Sequence, residues 1–337
     1  MTGSVDASSE TTDLPAGSTE PLMAEGLLVR GTAVDDPAFV GVAERDVFLA
    51  VDIGGTKMEV GLVDASGLVL DRFRTATPET SDPEVLFDGL CRIIEEVLSR
   101  STVLPSICGV GCGGPMESGG RTVSPLNIPG WRGFPLQGRL DGHLGLPVVV
   151  DNDAKALALG EGWIGAARGQ SNYLAMVVST GVGGGVVLDG RLLDGSGGNA
   201  GHIGHLVVEP QGRMCVCGGQ GCLEAEASGT AIAAITGHPA SEADIAMRRR
   251  CGTLVGRAVA SVANLLDLQL AVVAGSVALG YGEEFFAAAQ AEIDLRCGLD
   301  FARSTRIERA GLGADGPLVG AAAVARRYLM VMEDGGR

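Results

Sequence analysis

Residues 47–57, Val47-Phe-Leu-Ala-Val-Asp-Ile-Gly-Gly-Thr-Lys57, decide the fold class. The apolar run over residues 47–51 is typical of a buried β-strand, and residues 58–63 alternate as a returning strand. The turn between them contains two glycines, whose bare backbone N–H groups can approach phosphate oxygens, and Thr56 adds a hydroxyl donor. The stretch therefore predicts a phosphate-binding hairpin, for which an ordinary tight turn is the alternative.

A second stretch repeats this pattern. The apolar residues 174–178 lead into Ser179-Thr-Gly-Val-Gly-Gly-Gly185 and then into the apolar residues 186–188. Three adjacent glycines weaken a simple hairpin, so we interpret residues 179–185 as a second phosphate turn, with a β-bulge as the alternative. The two units together predict a duplicated α/β architecture in which two glycine turns face one cleft.

Two aspartates follow predicted strands. The segment Asp151-Asn-Asp153 comes directly after the strand at residues 147–150 and opens a helix, where an aspartate cap is also an ordinary structural choice. Because this strand end faces the predicted cleft, we assign Asp153 as a general base for a substrate hydroxyl. Asp52 ends the first strand and is suited to hold Mg²⁺ or its water.

Four potential metal ligands lie within 18 residues: His205, Cys215, Cys217 and Cys222. One histidine and three cysteines at such spacing suit a tetrahedral zinc site. Since all four positions of the ion would be filled, the site is predicted to be structural, and a zinc-dependent hydrolase is excluded. The alternative is three reduced thiols near an unrelated histidine. The other five cysteines, Cys91, Cys108, Cys112, Cys251 and Cys297, lack this spacing and are interpreted as buried small apolar residues.

Composition excludes several classes of protein. The chain has 337 residues, of which 53 are glycine and 46% are hydrophobic. Glycine has no three-residue period, which excludes collagen, and the apolar content excludes a wholly disordered chain. A net charge of −16 with only two lysines argues against a nucleic-acid partner. We found neither a signal peptide nor a membrane-spanning apolar run, so we expect a cytoplasmic protein with no membrane partner.

The expected organisation has three parts. Residues 1–45 read as a flexible acidic tail, within which Met23 is an alternative start. Residues 46–150 form an N-terminal α/β domain. Residues 151–337 form a larger C-terminal α/β domain that contains the zinc-binding loop, and its last helix is expected to pack back on the first domain.

These residues, taken in order, resemble the ROK family of sugar kinases and repressors. The resemblance covers about residues 47–330 and includes Gly111-Cys-Gly-Gly-Pro115, Leu126-Asn-Ile-Pro-Gly-Trp131 and Ala274-Gly-Ser-Val277. It implies an actin/hexokinase-like (ribonuclease H-like) α/β ATPase fold with two domains around a cleft. It also implies an enzyme that uses ATP with Mg²⁺ to phosphorylate a sugar hydroxyl, usually O6.

The resemblance assigns roles residue by residue. Asp153 matches the catalytic base. The residues expected to contact the sugar are Gly114, Asn127, Asn152, Asp153, His202, His205 and Glu224. The residues expected to contact the nucleotide and its magnesium are Asp52, Gly54, Gly55, Thr56, Lys57, Thr180, Gly181, Gly183 and Gly275. A homodimer or homotetramer is expected.

One position departs from the family pattern and leaves the sugar open. Many members have a glutamate where this chain has His202 in Gly201-His-Ile-Gly-His205. Histidine both donates and accepts hydrogen bonds, and it lacks the fixed negative charge. The segment resembles the N-acetylmannosamine kinase branch, so we favour N-acetylmannosamine as the acceptor. The alternatives are a glucokinase and, less favoured, a cyclitol kinase.

A transcriptional repressor is the remaining alternative, because the family includes DNA-binding members. Those members carry a helix-turn-helix unit before the sugar domain. The residues before Val47 show no helical period, and Arg30 and Arg45 are their only basic side chains. Such a segment does not suit a DNA-binding unit, so we favour the kinase.

Overall fold

The computed structural model describes residues 46–335, with side chains to residue 332, and contains two five-stranded sheets. The predicted tail at residues 1–45 lies outside the described residues. The first sheet has the order β3-β2-β1-β4-β5, in which β1 is antiparallel to β2 and parallel to β4. Its strands are β1 (Val47–Ile53), β2 (Lys57–Asp64), β3 (Val69–Ala76), β4 (Ile107–Cys112) and β5 (Val148–Asn152).

The second sheet repeats the plan of the first. Its order is β10-β9-β6-β7-β8, and β6 is again antiparallel to the next strand and parallel to β9. Its strands are β6 (Tyr173–Val178), β7 (Val182–Leu188), β8 (Arg191–Leu192), β9 (Leu270–Ala274) and β10 (Arg306–Arg309). The predicted actin/hexokinase-like α/β fold is therefore confirmed, and the duplication is visible in the strand order.

Helices cover the faces of both sheets. Since alternate residues of a strand point to opposite faces, Leu49 packs with α1 on one face of the first sheet, and Phe48 packs with α9 on the other. Helices α6 and α8 pack against each other beside the second sheet. The helices are α1 (Pro83–Arg100), α2 (Leu136–Leu144), α3 (Asp153–Trp163), α4 (Leu223–Ala227), α5 (Gly229–Thr236), α6 (Ile245–Leu266), α7 (Ser276–Tyr281), α8 (Glu283–Arg296) and α9 (Gly316–Gly335). Among residues 46–335, every helix is too short or too polar to cross a membrane.

Helix α3 lies against both sheets and against α9. It contacts β4 and β5 of the first sheet and β6 and β7 of the second. Gly160 and Gly320 let α3 and α9 cross closely, because a Cβ built on Gly160 would lie 3.1 Å from Gly320 Cα. The side chain that begins α3, Asp153, is thereby placed between the two sheets. The domain boundary at residue 150 stays a prediction.

The glycine run after β6 differs from the expectation that residues 179–185 form one turn. The turn ends at Gly181, and Gly183, Gly184 and Gly185 lie inside β7. The physical reason is packing: a Cβ on Gly183 would lie 2.9 Å from the Cβ of Ala154, and one on Gly185 would lie 2.8 Å from the Cβ of Ala158. The bare strand therefore lets α3 lie directly on the second sheet.

Candidate active site

Two carboxylates meet where β1, β4 and β5 end. Asp52 is paired in register with Gly111 of β4, and Gly111 is paired with the residue that precedes Asn152 in β5. A Cβ built on Gly111 would lie 3.8 Å from Asp52 Oδ1 and 3.6 Å from Asp153 Cα. Both aspartates therefore lie within ordinary contact distance of position 111, at one edge of the first sheet.

Burial and mutual repulsion favour the protonated forms of these carboxyl groups. Burial, followed by the charge of the nearby Asp153, raises the pKa of Asp52 to about 7, while Lys57 opposes the shift. Burial likewise raises the pKa of Asp153. An uncompensated buried carboxylate of this kind suits a hard cation such as Mg²⁺, which prefers oxygen ligands. The donor chemistry at Asp52 thus fits the magnesium expected from the sequence.

The first glycine turn is held by its own backbone and by β3. The N–H of Gly54 donates to the carbonyl of Lys57 at 2.9 Å, and the Thr77 hydroxyl donates to the carbonyl of Gly54 at 2.6 Å. A Cβ on Gly55 would lie only 2.7 Å from the Cβ of Asn127. Glycine at position 55 therefore lets Asn127, predicted to bind the sugar, lie directly against the phosphate turn.

The second glycine turn is anchored by α5 and α7. The N–H of Ser179 donates to the carbonyl of Gly181 at 2.9 Å, which closes the turn. The Thr230 hydroxyl donates to the carbonyl of Thr180 at 3.0 Å, and the hydroxyl oxygens of Ser179 and Ser276 are 3.0 Å apart. The turn thus borders the first turns of two helices, and the N–H groups of Gly229 and Thr230 that begin α5 donate to its carbonyls.

Gly275, predicted to lie on the nucleotide side, immediately precedes α7. Its φ of 101° lies in a region that side chains other than glycine rarely adopt. A Cβ there would also lie 2.2 Å from the carbonyl oxygen of Val178. Both facts require glycine where β9 passes into α7, next to the second glycine turn.

Two of the predicted sugar residues, Asn152 and His202, lie beside a third, Gly114. A Cβ on Gly114 would lie 3.3 Å from Asn152 Nδ2 and 3.6 Å from His202 Cε1. Asn152 caps α3, because its side-chain oxygen accepts from the N–H of Ala154 at 3.1 Å. Asp153 Oδ1 accepts from the same N–H at 2.8 Å, which fixes the orientation of its carboxylate. Partial desolvation and the nearby His205 lower the pKa of His202, which favours its neutral form.

The predicted zinc ligands form one cluster. The ligand atoms of His205, Cys215, Cys217 and Cys222 all lie within 4.8 Å of one another. The sulfurs of Cys217 and Cys222 are 3.7 Å apart, and so are Cys215 Sγ and His205 Nδ1. A tetrahedral zinc with Zn–S bonds of about 2.3 Å would separate two sulfurs by roughly 3.8 Å. The donor set therefore fits zinc, and the sulfur separation excludes a disulfide. The remaining cysteines are buried thiols, as predicted.

Glu224 connects the cysteine cluster to the second glycine turn. It lies two residues after Cys222, and its Oε2 accepts from the N–H of Val182 at 2.9 Å. A Cβ on Gly181 would lie 2.9 Å from the same oxygen. The sequence predicted Glu224 as a sugar contact, and the structure also shows it bonded to the backbone beside the phosphate turn.

Two contacts around the site have no counterpart in the sequence analysis. Asn199 Oδ1 accepts from the N–H of Met116 at 3.4 Å, and its Nδ2 donates to the Met116 carbonyl at 3.2 Å. Lys155, buried beneath the site, binds Asp194. The second contact had one available signal: Lys155 is one of two lysines in the chain, and it comes two residues after Asp153.

The model of the ROK family matches residues 48–328, nearly the whole described chain. The chain belongs to the ROK family. The predicted membership is therefore confirmed over the strands, the glycine turns and the cysteine cluster described above.

Two named sugar kinases and one solved structure are similar to this chain. The chain is 37% identical to an N-acetylmannosamine kinase of Citrobacter koseri over 69% of its own length and 84% of the relative. It is 43% identical to a glucokinase of Thermotoga maritima over 55% of its own length and 58% of the relative. Its fold is similar to that of a ROK family glucokinase from Streptomyces griseus in complex with glucose and AMPPNP, with 31% identity, a TM-score of 0.73 and coverage of 83% of this chain and 99% of that one.

Proposed function

We propose that this chain transfers the γ-phosphoryl group of ATP to the 6-hydroxyl of a hexose or N-acylhexosamine, with N-acetylmannosamine as the favoured acceptor. The observation that carries the proposal is the meeting of Asn152 and His202 at Gly114, with Asp153 directly after Asn152 and beside Gly111, next to two glycine turns. Family membership supports the sugar-kinase activity, and the Citrobacter relative supports the acceptor.

Asp153 accepts the proton of the attacking sugar hydroxyl. Its carboxylate is oriented by the N–H of Ala154, and its raised pKa brings its basicity closer to neutral pH. The glycine turns that end at Lys57 and Gly181 donate backbone N–H groups to the phosphates. Asp52 would hold the magnesium ion, which when bound would neutralise charge on the triphosphate. Closure of the cleft excludes water that would otherwise consume ATP.

His202 supports the preference for an N-acyl sugar. A neutral imidazole donates through one nitrogen and accepts through the other, whereas a glutamate carboxylate only accepts. The carbonyl oxygen of an N-acetyl group needs a donor, which His202 supplies and a carboxylate does not. The lowered pKa of His202 keeps the imidazole neutral, so no fixed charge has to be matched by the sugar.

Glucose is the second candidate acceptor. The Thermotoga relative and the Streptomyces structure support it. In this case His202 would replace the usual glutamate without changing which sugar is preferred.

We further propose that zinc at the cysteine cluster is structural, since four protein ligands leave no open position. The oligomeric state stays a prediction, which light scattering can test.

A coupled assay of ADP release tests the proposal. The purified chain should be assayed with ATP and magnesium against N-acetylmannosamine, N-acetylglucosamine, glucose, mannose and fructose. We expect kcat/KM to be highest for N-acetylmannosamine. A ranking led by glucose favours the second candidate, and no ADP release with any of the five sugars contradicts the proposed activity.

A further inference from the structure

The loop of residues 194–200 connects β8 to the site. The N–H of Ala200 donates to the carbonyl of Asp194 at 3.0 Å and closes the loop on itself. Two residues later the chain reaches His202, beside Gly114. Residues 195, 197 and 198 are glycine, whose backbone can adopt many conformations. The sequence of the loop therefore does little to fix its conformation. Its conformation must therefore be fixed by contacts with other elements.

Lys155 of α3 makes the most buried of these contacts. Its side chain is only 3% exposed, and its Nζ lies 2.7 Å from Asp194 Oδ1. The same Nζ donates to the carbonyl of Gly198 at 3.2 Å and lies 2.9 Å from Asp151 Oδ1. An ammonium group has three protons, and these three partners account for all of them. Lys155 thus holds both the start and the middle of the loop.

Arg327 of α9 completes the charge balance. Its Nη2 lies 2.7 Å from Asp194 Oδ2, and its Nη1 lies 3.6 Å from Asp151 Oδ2. Two cations therefore face two carboxylates. Partial burial acts to raise the pKa of Asp194, but the hydrogen bonds from Arg327 and Lys155 outweigh it and lower that pKa. The loop is thereby fastened to α3 and α9 in its ionised form.

The far side of the loop reaches the segment that follows β4. Asn199 binds both backbone groups of Met116, and a Cβ on Gly198 would lie 3.3 Å from Ser118 Cα. Met116 follows Gly114 by two residues. The loop consequently spans from the helix that begins with Asp153 to the segment that contains Gly114, and these are the two sides of the proposed sugar site.

We propose that Lys155 is a positioning residue for the acceptor sugar, which holds the 194–200 loop through Asp194 and Gly198 and so sets the place of Asn199 and His202 relative to Asp153. The inference rests on the proposed function for its kinetic consequences. One helix carries both Asp153 and Lys155, two residues apart. Any shift of the loop relative to this helix therefore changes the distance between the base and the residue that contacts the sugar.

Two variants test the kinetic consequence. Asp194→Asn keeps the size of the side chain and weakens the hold of Lys155, and Lys155→Met removes it. We expect the KM for the sugar to rise at least about fivefold in both, with kcat and the KM for ATP changed by less than about twofold. The ratio of kcat/KM for the favoured sugar to that for the other sugars should also fall. Asp300→Asn is the matched control, because Asp300 is 94% exposed and pairs with Arg303 away from the site. An unchanged sugar KM and an unchanged preference in Asp194→Asn would overturn the proposal.

Two further measurements separate positioning from a purely structural role. Combining Lys155→Met with Asn199→Ala should raise the sugar KM by less than the product of the single effects, because both act through one loop. Hydrogen exchange should be faster for the amides of residues 194–200 in Asp194→Asn, with α6 unchanged. Multiplicative effects, or unchanged loop exchange, would overturn the proposal. Because exchange needs no activity, it decides the role of the contact even if the wild-type chain phosphorylates none of the sugars.

Discussion

At the scale of the residue, the site depends on a few side chains whose positions are fixed by backbone hydrogen bonds. Asp153 and Asn152 both accept from the N–H of Ala154 at the start of α3. This arrangement is a helix cap that also presents a carboxylate to the cleft. Sequence reasoning reached Asp153 because a strand end followed by a helix start is a local pattern.

Replacing the proposed base tests its role most directly. Asp153→Asn keeps the shape and the hydrogen bond with Ala154 but cannot accept a proton. We expect kcat to fall on the order of a hundredfold or more, while calorimetry shows unchanged sugar affinity. Turnover close to that of the wild type would refute the assignment.

A second residue prediction concerns the choice of sugar. His202→Glu removes a hydrogen-bond donor and adds a charge beside Asn152. We expect the ratio of kcat/KM for N-acetylmannosamine to that for glucose to drop by about tenfold, as for one lost hydrogen bond. His238→Glu is the matched control, because His238 is exposed and lies far along the chain in the segment after α5. An unchanged ratio in His202→Glu would show that this position does not discriminate.

The role of Lys155 could not be read from the sequence. Its partner Asp194 is 39 residues away, in a loop whose conformation comes from tertiary contacts. Local patterns carry no information about such a pair, whereas the four zinc ligands are close in sequence and their spacing was sufficient to identify them as a cluster.

At the scale of the element, the strands were predictable and the end of the second glycine turn was not. Apolar runs of five residues marked β1 and β6, because both strands are buried on two faces. The glycines of β7 looked like part of a turn, since glycine is typical of turns. Their actual reason is the close approach of α3, which only the packed structure shows.

The packing of β7 against α3 gives a stability prediction. A Cβ at Gly185 would lie 2.9 Å from Lys155 Cα, which is backbone and cannot move aside cheaply. We expect Gly185→Ala to lower the free energy of unfolding by about 1–3 kcal/mol. Gly138→Ala, in α2 with open space around it, should be neutral or stabilising by up to about 1 kcal/mol. Thermal denaturation of both variants is the measurement, and equal melting temperatures would contradict the packing argument.

The cysteine cluster gives a second prediction at this scale. Removing zinc with a chelator should free the segment that carries His205 and, through Cys222, Glu224. We expect both the melting temperature and the sugar affinity to fall, and readdition of zinc to restore them. Calorimetry with the sugar, together with metal analysis before and after chelation, measures this. Sugar affinity that survives the loss of zinc would separate the cluster from the site.

At the scale of the whole molecule, two carboxyl groups with raised pKa values lie between the sheets, and they link activity and stability to pH in opposite directions. Ionised Asp153 accepts the proton, so kcat/KM should decline as the pH falls through the raised pKa of Asp153. The free energy of unfolding depends on pH in the opposite direction. Because the folded-state pKa of Asp52 exceeds its ordinary value, its contribution to folding is complete at acidic pH and is lost as the pH rises to about 7.

Profiles of kcat/KM against pH, together with thermal denaturation at several pH values, test both predicted pH dependences. In Asp52→Asn, the change in melting temperature between about pH 5 and pH 7 should be smaller than in the wild type. A kcat/KM that stays constant as the pH falls to the ordinary pKa of an aspartate, about 4, would contradict the raised pKa of Asp153.

Helix α9 has a consequence for synthesis of the chain on the ribosome. It covers the face of the first sheet where Phe48, Ala50 and Ile107 pack with Leu318 and Ala322. The strands β1–β5 emerge early, but this face stays open until the last helix has been made. Residues 46–152 alone would therefore expose an apolar surface to chaperones. A chain truncated before Gly316 should be degraded or aggregate, although every residue assigned to the site would be present.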